Sequence, residues 1–230
     1  MRYGIDDAGR RTLQTLAGLI ATDDAPTTVT DAGAILRDHL ADSLVALELG
    51  QVRAAVAVAD LGSGAGFPGL PLAIALPTAS CTLIDGNHRK CEFMRAAADR
   101  CGIENVTVTH ARAEEWNPEP GGCDLVVARA LAPLGVIAEY AAPLLRVGGA
   151  LVAWRGRRDA EDEAVAARAA AILGLRCEEP IAVTPYPGAL HRHLHVVTKV
   201  VPTPDRFPRR PGMARKRPLG ARATGTAGPI

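Results

Sequence analysis

Three alternating glycines that follow a short apolar run constrain this chain more than any other feature. Residues 56–61 have the length and apolar character of a buried strand, and Gly62, Gly64 and Gly66 come directly after them. Glycines at such a place let a ligand approach the backbone without an intervening side chain. In doubly wound sheets, ligands bind at the carboxyl ends of strands, near the point where the strand order reverses. The loop therefore predicts an α/β fold with a ligand site after this strand.

Strand-like and helical segments alternate through most of the chain, which is typical of β-α-β units and a parallel sheet. The later strand-like runs are 81–84, 106–109, 125–128 and 150–153, and the helical segments between them are 71–76, 89–101, 134–145 and 160–173. Two further runs, 177–184 and 194–200, form a hairpin that would add an antiparallel strand at or near the sheet edge. We expect a Rossmann-like, mostly parallel sheet with an antiparallel C-terminal strand, preceded by N-terminal helices at 9–21 and 35–47.

The glycine loop is compatible with two classes of cofactor. The spacing of Gly64, Gly66 and Gly69 matches a dinucleotide fingerprint, and Asp85 lies near the position of a ribose-binding carboxylate. Asp60, at the strand end, favours the other class, because a carboxylate would disfavour a pyrophosphate and favour the cationic S-adenosylmethionine. Asp85 can accept hydrogen bonds from ribose hydroxyls of either cofactor.

The longer sequence around the loop resembles one family closely. Residues 60–74 read DLGSGAGFPGLPLAI, and the Phe-Pro-Gly-Leu-Pro extension is unusual among methyltransferases. This string is similar to that of the ribosomal RNA small subunit methyltransferase G family, also called the glucose-inhibited division protein B family. Further similar segments are DHLADSL at 38–44, RKCEFMR at 89–95, Arg-Ala-Glu at 112–114, Ala-Arg-Ala at 128–130 and RFPRRPG at 206–212.

The resemblance implies a class I methyltransferase fold, S-adenosylmethionine as methyl donor, and transfer to N7 of a guanine in the decoding-region loop of 16S ribosomal RNA, guanine 527 in that RNA. The partner would be 16S ribosomal RNA within the small ribosomal subunit. The cofactor-binding residues implied by position are Gly62, Gly64, Phe67, Asp85, Ala113, Glu114 and Arg129. Asp85 would hold the ribose, and Ala113 and Glu114 would flank the adenine.

Arg129 is the candidate catalytic residue, in the sense of substrate positioning. Guanine N7 carries a lone pair and no proton, so the reaction needs positioning rather than a general base. Arg129 could orient the guanine through O6. The alternative is an ion pair with Glu114 or Asp124 that shapes the pocket.

The basic residues are concentrated at the C-terminal end of the chain. Seven of the 26 Lys and Arg residues lie in 206–230, which contains no acidic residue, so the rest holds 19 basic and 25 acidic residues. A cationic tail suggests a polyanionic partner. We expect Arg155, Arg206, Arg209 and Arg210 to contact RNA phosphates, and deletion of the residues after Val201 to weaken RNA binding while sparing cofactor binding.

These observations divide the chain into three parts. Residues 1–50 are an N-terminal helical segment packed on the core, 51–201 are the S-adenosylmethionine-binding methyltransferase core, and 202–230 are a basic, poorly structured tail. No apolar run approaches the roughly 20 residues of a membrane-spanning helix, and the N-terminal residues lack the apolar core of a signal peptide. We expect a cytoplasmic protein without membrane contact.

Metal sites and other functions are less well supported by the sequence. The five cysteines form no Cys-x-x-Cys pair. His191, His193 and His195 would share one face of a strand, but no carboxylate or cysteine adjoins them, so we expect no metal. The alternatives left open are a methyltransferase for another RNA, a small molecule or a protein, an NAD-dependent dehydrogenase, and a non-enzymatic binding module.

Overall fold

A computed structural model of the protein describes residues 2–21, 25–27, 31–116 and 118–221. Eight strands form one sheet in the order β3-β2-β1-β4-β5-β8-β6, and β7 also pairs with β8. The strands are β1 (Ala57–Leu61), β2 (Ser80–Asp85), β3 (Val106–His110), β4 (Cys123–Arg129), β5 (Leu145–Arg155), β6 (Leu175–Cys177), β7 (Ile181–Ala182) and β8 (His193–Lys199). The first five strands are parallel, and β8 is antiparallel to β5, β6 and β7.

Seven α-helices connect or flank these strands in the described part of the chain. They are α1 (Asp7–Ile20), α2 (Gly50–Arg53), α3 (Gly69–Ala75), α4 (His88–Cys101), α5 (Leu134–Ala141), α6 (Ala160–Leu173) and α7 (Met213–Lys216). Between α1 and α2, residues 32–48 form a continuous helical segment that changes type along its length. It consists of Ala32–Ala34, the π-helical Ile35–Ala41, Asp42–Leu44 and the 3-10 turn Val45–Glu48.

The central strands are apolar on both faces, because helices cover the sheet on both sides. Successive strand residues point to opposite faces, so Val58 packs into one hydrophobic cluster and Ala59 into the other. The first cluster lies between the sheet and α1, the 32–48 segment, α3 and α4. The second lies between the sheet and α5, α6 and the C-terminal residues. The fold therefore has three layers.

The sequence also determines where the longer helices begin and end. The side chain of Asn87 accepts a hydrogen bond from the Lys90 N–H at the start of α4, and Gly102 ends this helix in the left-handed conformation. Asp159 caps α6 in the same way, and Gly174 ends it. Side-chain acceptors before a helix and glycines after it satisfy backbone groups that the helix itself leaves unpaired.

The described part of the C-terminal segment, 202–221, packs against the second cluster although α7 is its only helix. Phe207 is 7% exposed and Ala214 is 4% exposed. The guanidinium of Arg209 donates to both carboxylate oxygens of Glu139 on α5, at 2.8 Å and 2.6 Å. Glu139 is 1% exposed. These contacts hold the segment on the core, which its Pro-, Gly- and Arg-rich composition did not indicate.

The predicted fold class is confirmed: the sheet is mostly parallel, helices lie on both faces, and the C-terminal strands are antiparallel. The antiparallel strand β8 lies near the sheet edge, as expected, between β5 and the edge strand β6. The tail boundary at residue 202 stays a prediction, and Arg222 lies outside the described residues.

We predict that Arg209→Ala lowers the free energy of unfolding by about 3 kcal/mol, because it leaves the buried Glu139 charge without its partner. Urea denaturation measures this change. The matched control is Arg210→Ala at the neighbouring, exposed position, which we expect to change stability by no more than about 0.5 kcal/mol. Equal effects of the two substitutions would contradict the assigned role of the ion pair.

Candidate active site

The glycine loop after β1 requires glycine at three positions. The φ angles of Gly62, Gly64 and Gly66 are +73°, +61° and +95°, values that other residues rarely adopt. At Gly62 there is also no room for a side chain, because a Cβ would lie 2.6 Å from Cδ1 of Leu131. Leu131 follows β4, so this glycine allows the ends of β1 and β4 to approach each other at the point where the strand order reverses.

Most backbone N–H groups of this loop are used within the loop and its neighbour strand. Gly62 and Ser63 donate to the carbonyl oxygen of Ile84, at 2.8 Å and 3.1 Å, and Gly66 and Phe67 donate to that of Ser63, both at 2.8 Å. A dinucleotide pyrophosphate is held by free N–H groups of such a loop. The loop is therefore poorly equipped to bind a pyrophosphate.

Asp85, at the end of β2, joins the glycine loop to the start of α4. Its Oδ2 accepts a hydrogen bond from the Gly64 N–H and its Oδ1 accepts one from the Asn87 N–H, both at 2.9 Å. An ionised carboxylate has about four lone-pair sites, so each oxygen can accept a further hydrogen bond. The backbone fixes the orientation of this carboxylate, and a diol can bind to its free lone pairs.

A cavity of about 480 Å³, the glycine-loop cavity, lies beside Asp85. It is lined by Gly62, Ile84, Asp85, Gly86, Asn87, Arg112, Ala113, Glu114, Leu131, Gly212 and Arg215. Ligand sites of small molecules and cofactors begin at about 300 Å³. The last two lining residues come from the C-terminal segment, where Arg215 also donates to the carbonyl oxygen of Leu131 at 3.1 Å.

Asp60 lies beneath the loop and is 1% exposed. Its Oδ2 accepts a hydrogen bond from the Gly69 N–H at 2.9 Å, and its Oδ1 has no partner among the described residues. Burial raises the pKa of this carboxyl to about 7. The expectation that Asp60 presents a charge to the cofactor is therefore not supported, since Asp85 and Glu114 are the acidic residues that line the cavity.

A second cavity of about 480 Å³, the arginine cavity, lies on the other side of residues 129–131. It is lined by Asp38, His39, Asp42, Arg129, Ala130, Trp154, Arg155, Gly156, Arg157, Val183, Arg192 and His193. Arg129 and Ala130 line this cavity, and the next residue, Leu131, lines the glycine-loop cavity. Ala130 has a φ of +54°, which is uncommon for a residue with a Cβ and typical of functional sites.

Arg129 is bound by the 32–48 helical segment. One guanidinium nitrogen donates to the carbonyl oxygen of Asp38 at 3.0 Å and to Oδ2 of Asp42 at 3.1 Å, and the other donates to Nδ1 of His39 at 3.2 Å. The guanidinium carbon also lies 5.3 Å from the centre of the Phe67 ring. The carboxylate partner of Arg129 is thus Asp42, not Glu114 or Asp124.

His39 links this arginine to the glycine loop. Its ring stacks on Phe67 with 4.5 Å between the ring centres and 12° between the planes. Because Nδ1 accepts from Arg129, the ring proton is on Nε2, which lies 3.2 Å from Oγ1 of Thr27. Burial and the charge of Arg129 lower the pKa of His39, which favours the neutral ring that this hydrogen bond requires.

Asp42 is 6% exposed, and its two carboxylate oxygens are in different environments. Oδ2 accepts from Arg129, whereas Oδ1 has no hydrogen-bond partner among the described residues. Arg192 Nε lies 3.4 Å from Oδ1 as an ion pair. Burial raises the pKa of Asp42, and the charges of Arg129 and Arg192 oppose that shift. The carbonyl oxygen of Asp42 accepts from Trp154 Nε1 at 2.7 Å, which fixes the helical segment to β5.

Comparison with known sequences identifies the family. The model of the GidB family, described as rRNA small subunit methyltransferase G, matches residues 22–183. The chain belongs to this family. It is 42% identical over 198 residues to a ribosomal RNA small subunit methyltransferase G from Chloroflexus aggregans, covering 84% of this chain and 82% of the relative. The enzyme of the same name from Deinococcus deserti is 43% identical over 189 residues, with coverages of 80% and 77%.

Solved structures share the fold of this family member at low sequence identity. A SAM-dependent methyltransferase from Aquifex aeolicus matches with a TM-score of 0.56 and 17% identity, over 74% of this chain and 94% of that chain. A variant of the 16S rRNA (adenine(1408)-N(1))-methyltransferase from Catenulisporales acidiphilia matches with a TM-score of 0.53 and 18% identity, over 67% and 89%. Both similarities support the class I methyltransferase fold.

The cofactor-binding residues implied by the family resemblance occupy two places. Gly62, Asp85, Ala113 and Glu114 line the glycine-loop cavity, and Gly64 orients Asp85. Phe67 and Arg129 instead lie on the side of the arginine cavity.

Several side chains at these cavities were not predicted from the sequence: His39, Asp42, Leu131, Arg192 and Arg215. His39 and Asp42 belong to the DHLADSL segment, which could have indicated them. Arg192 and Arg215 had no signal beyond their charge.

Of the four arginines expected to contact RNA, two are bound by other residues of the protein and two are exposed. The guanidinium of Arg155 donates to Asp162 at 2.6 Å and to the carbonyl oxygen of Ala132 at 3.0 Å. Arg209 is paired with Glu139. By contrast, Arg206 and Arg210 are exposed.

The three C-terminal histidines do not share one face. His191 precedes β8 and has a φ of +51°. Among the residues described, no group of three His, Cys, Asp or Glu side chains is arranged to hold a metal ion. Nor does any described helix combine the length and apolar character that crossing a membrane requires.

We predict that Asp60 makes stability fall as the pH rises from about 4 to about 7. Its pKa is about 7 in the folded protein and ordinarily 3.8, so in this range the folded state binds a proton that the unfolded state lacks. The loss reaches up to about 4 kcal/mol, at about 1.36 kcal/mol per pKa unit.

Urea denaturation at several pH values measures this dependence in the wild-type protein and in Asp60→Asn, which retains an acceptor for Gly69. We expect a smaller fall with pH in the variant. Parallel curves for the two proteins would show that Asp60 titrates normally.

Proposed function

We propose that this chain transfers a methyl group from S-adenosylmethionine to N7 of a guanine in 16S ribosomal RNA. The observation that supports this most directly is the position of the two cavities on either side of residues 129–131. A methyl donor in the glycine-loop cavity and a base in the arginine cavity would lie next to each other at this strand end. The curated relatives are named as methyltransferases of small-subunit ribosomal RNA.

The glycine-loop cavity suits S-adenosylmethionine better than a dinucleotide. Asp85 has lone pairs for two ribose hydroxyls, and Ala113 and Glu114 lie where they can flank an adenine. The N–H groups of Gly62 and Ser63 are already used by Ile84, so the loop offers few donors to a pyrophosphate. This comparison disfavours an NAD-dependent dehydrogenase.

The chemistry needs placement of the reacting atoms. When bound, S-adenosylmethionine supplies the methyl group on a positively charged sulfur that leaves as a neutral thioether. N7 of guanine attacks with its lone pair, and no proton is released. The residues of the chain must therefore hold the base in line with the methyl group and exclude water, and positioning of this kind is worth about 7–11 kcal/mol in favourable cases.

Arg129 is proposed as a positioning residue, because three acceptors of the 32–48 segment already use its guanidinium. It holds His39 and Asp42 at the wall of the arginine cavity. This role requires the several donors of a planar guanidinium, which the ammonium group of a lysine does not provide.

Contacts with RNA phosphates are proposed for Arg206 and Arg210 in the C-terminal segment and for the exposed Arg157 at the arginine cavity. Arg155 and Arg209 are given a structural role instead, because acceptors within the protein already bind their guanidinium groups. The ordered RNA of the small ribosomal subunit would be recognised largely by shape. A ribosomal substrate places the enzyme in the cytoplasm.

The C-terminal segment would contribute to the binding of both the cofactor and the RNA. Gly212 and Arg215 line the glycine-loop cavity, and Phe207 belongs to the core. Deletion after Val201 would therefore weaken cofactor binding as well as RNA binding, so the expectation that it spares the cofactor no longer follows. Single substitutions of Arg206 and Arg210 separate the two effects.

The decisive experiment compares 16S ribosomal RNA from cells with and without this protein by mass mapping of methylated nucleotides. We expect one 7-methylguanine, at guanine 527, to be missing without the protein. Adding the purified protein and S-adenosylmethionine to the deficient small subunits should restore it. Identical maps, or a methyl group on another type of base, would overturn the proposal.

We predict that Arg129→Ala lowers the methylation rate by about 100-fold, the size of effect that misplacing reacting groups produces, while the affinity for S-adenosylhomocysteine changes little. The reason is that the hydrogen-bond partners of Arg129 lie on the arginine-cavity side. Calorimetric titration and single-turnover methylation measure the two quantities.

The control for this variant is Arg176→Ala, which removes an exposed arginine paired with Glu178 away from both cavities. It should change neither quantity. Equal losses of affinity and rate in Arg129→Ala would contradict a role confined to the substrate side.

A further inference from the structure

The target atom of the proposed reaction restricts how guanine can be recognised. Arginine commonly reads guanine through a bidentate contact to O6 and N7. Here N7 is the nucleophile and its lone pair must point at the methyl group, so an arginine cannot occupy it. Guanine differs from adenine in a second place: N1–H and the 2-amino group are donors, whereas adenine has an acceptor at N1. A carboxylate that accepts from this edge would select guanine and leave N7 free.

The arginine cavity has two carboxylates among its lining residues, Asp38 and Asp42. Oδ1 of Asp38 accepts a hydrogen bond from the hydroxyl of Tyr186 at 2.7 Å. In Asp42, Oδ2 is bound by Arg129, and Oδ1 is left without a hydrogen-bond partner among the described residues although the residue is 6% exposed. A buried acceptor without a donor is costly, and such groups call for an explanation.

The surroundings of Asp42 hold its carboxylate in place. Arg129 binds Oδ2, and Trp154 binds the backbone carbonyl of the same residue. Arg192 covers Oδ1, with Nε at 3.4 Å but without hydrogen-bond geometry. The side chain of Arg192 is 38% exposed, so it can move aside and let a base edge reach Oδ1.

We infer that Oδ1 of Asp42 accepts hydrogen bonds from N1–H and the 2-amino group of the target guanine and so determines the choice of base. This inference rests on the proposed function, because it assigns a residue to the same reaction. Arg129 positions the carboxylate, and Arg192 covers it until the base enters. A guanine held by this edge exposes N7 to the neighbouring glycine-loop cavity.

The test uses small ribosomal subunits reconstituted with 16S ribosomal RNA that carries either guanine or inosine at the methylated position. Inosine keeps N7, O6 and N1–H and lacks the 2-amino group. We expect the wild-type enzyme to methylate guanine about 10- to 100-fold faster than inosine, the discrimination typical of a lost base-edge contact. Equal rates with the two bases would overturn the inference without any variant.

The variant Asp42→Asn then tests whether this side chain causes the preference for guanine over inosine. It keeps the shape and removes the second carboxylate oxygen, so we expect slow methylation with no preference for guanine over inosine. Binding of S-adenosylhomocysteine and circular dichroism check that the variant is folded, and Asp42→Ser replaces it in the same measurement if it is not. A guanine preference that persists in these variants would overturn the inference.

The matched control is Asp38→Asn, which changes the neighbouring carboxylate of the same cavity. Its rate can fall, but its preference for guanine should remain. A wild-type enzyme that fails to methylate the guanine-containing subunits would instead count against the proposed function, so the two failures are distinguishable.

Discussion

The hydrogen bonds of the Arg129 guanidinium are the interaction on which the arrangement of this protein depends most. It lies at the end of β4, where the strand order reverses, and binds three acceptors of the 32–48 helical segment, about 90 residues earlier in the chain. A guanidinium is charged at every relevant pH and presents five donors in a fixed plane. Because its side chain is only 18% exposed, leaving these donors unpaired would be costly. The 32–48 segment therefore forms one wall of the arginine cavity.

The hydrogen bonds of Arg129 also connect the residues that support the two cavities. His39 accepts from Arg129 on one side and stacks on Phe67 of the glycine loop on the other. The backbone of the same loop holds Asp85, through Gly64. The ring stack therefore joins the two cavities, while Asp85 itself is held by backbone N–H groups that do not contact Arg129. Asp85 and Arg129 both lie at strand ends, which hold side chains more precisely than isolated loops do.

Local sequence patterns were sufficient to predict the parallel strands of the sheet and the position of one cavity. Apolar runs predicted the first five strands, and the glycines and Asp85 indicated the cavity in which Gly62, Ala113 and Glu114 now lie together. Contacts between distant segments were not predictable in this way. The alternative interpretation of Arg129 paired it with Glu114 or Asp124, but its partner is Asp42, which the packing of the helical segment on β5 through Trp154 brings to it. Composition predicted little regular structure for residues 202–221 but could not show that they pack on the core, because a few buried groups, Phe207 among them, decide this.

The C-terminal segment shows why charge alone is a poor guide to an RNA-binding surface. Within it, Arg209 neutralises the buried Glu139, Arg215 donates to Leu131 at the glycine-loop cavity, and Arg206 and Arg210 remain exposed. The same type of residue therefore serves the core, a cavity wall and the surface within residues 206–215. A polyanion can compete only for the exposed arginines without breaking internal pairs, since removing a guanidinium from a buried carboxylate leaves that charge uncompensated. The surface that this segment offers to a polyanion is consequently smaller than its basic composition suggests, and Arg209 and Arg215 hold the segment on the core.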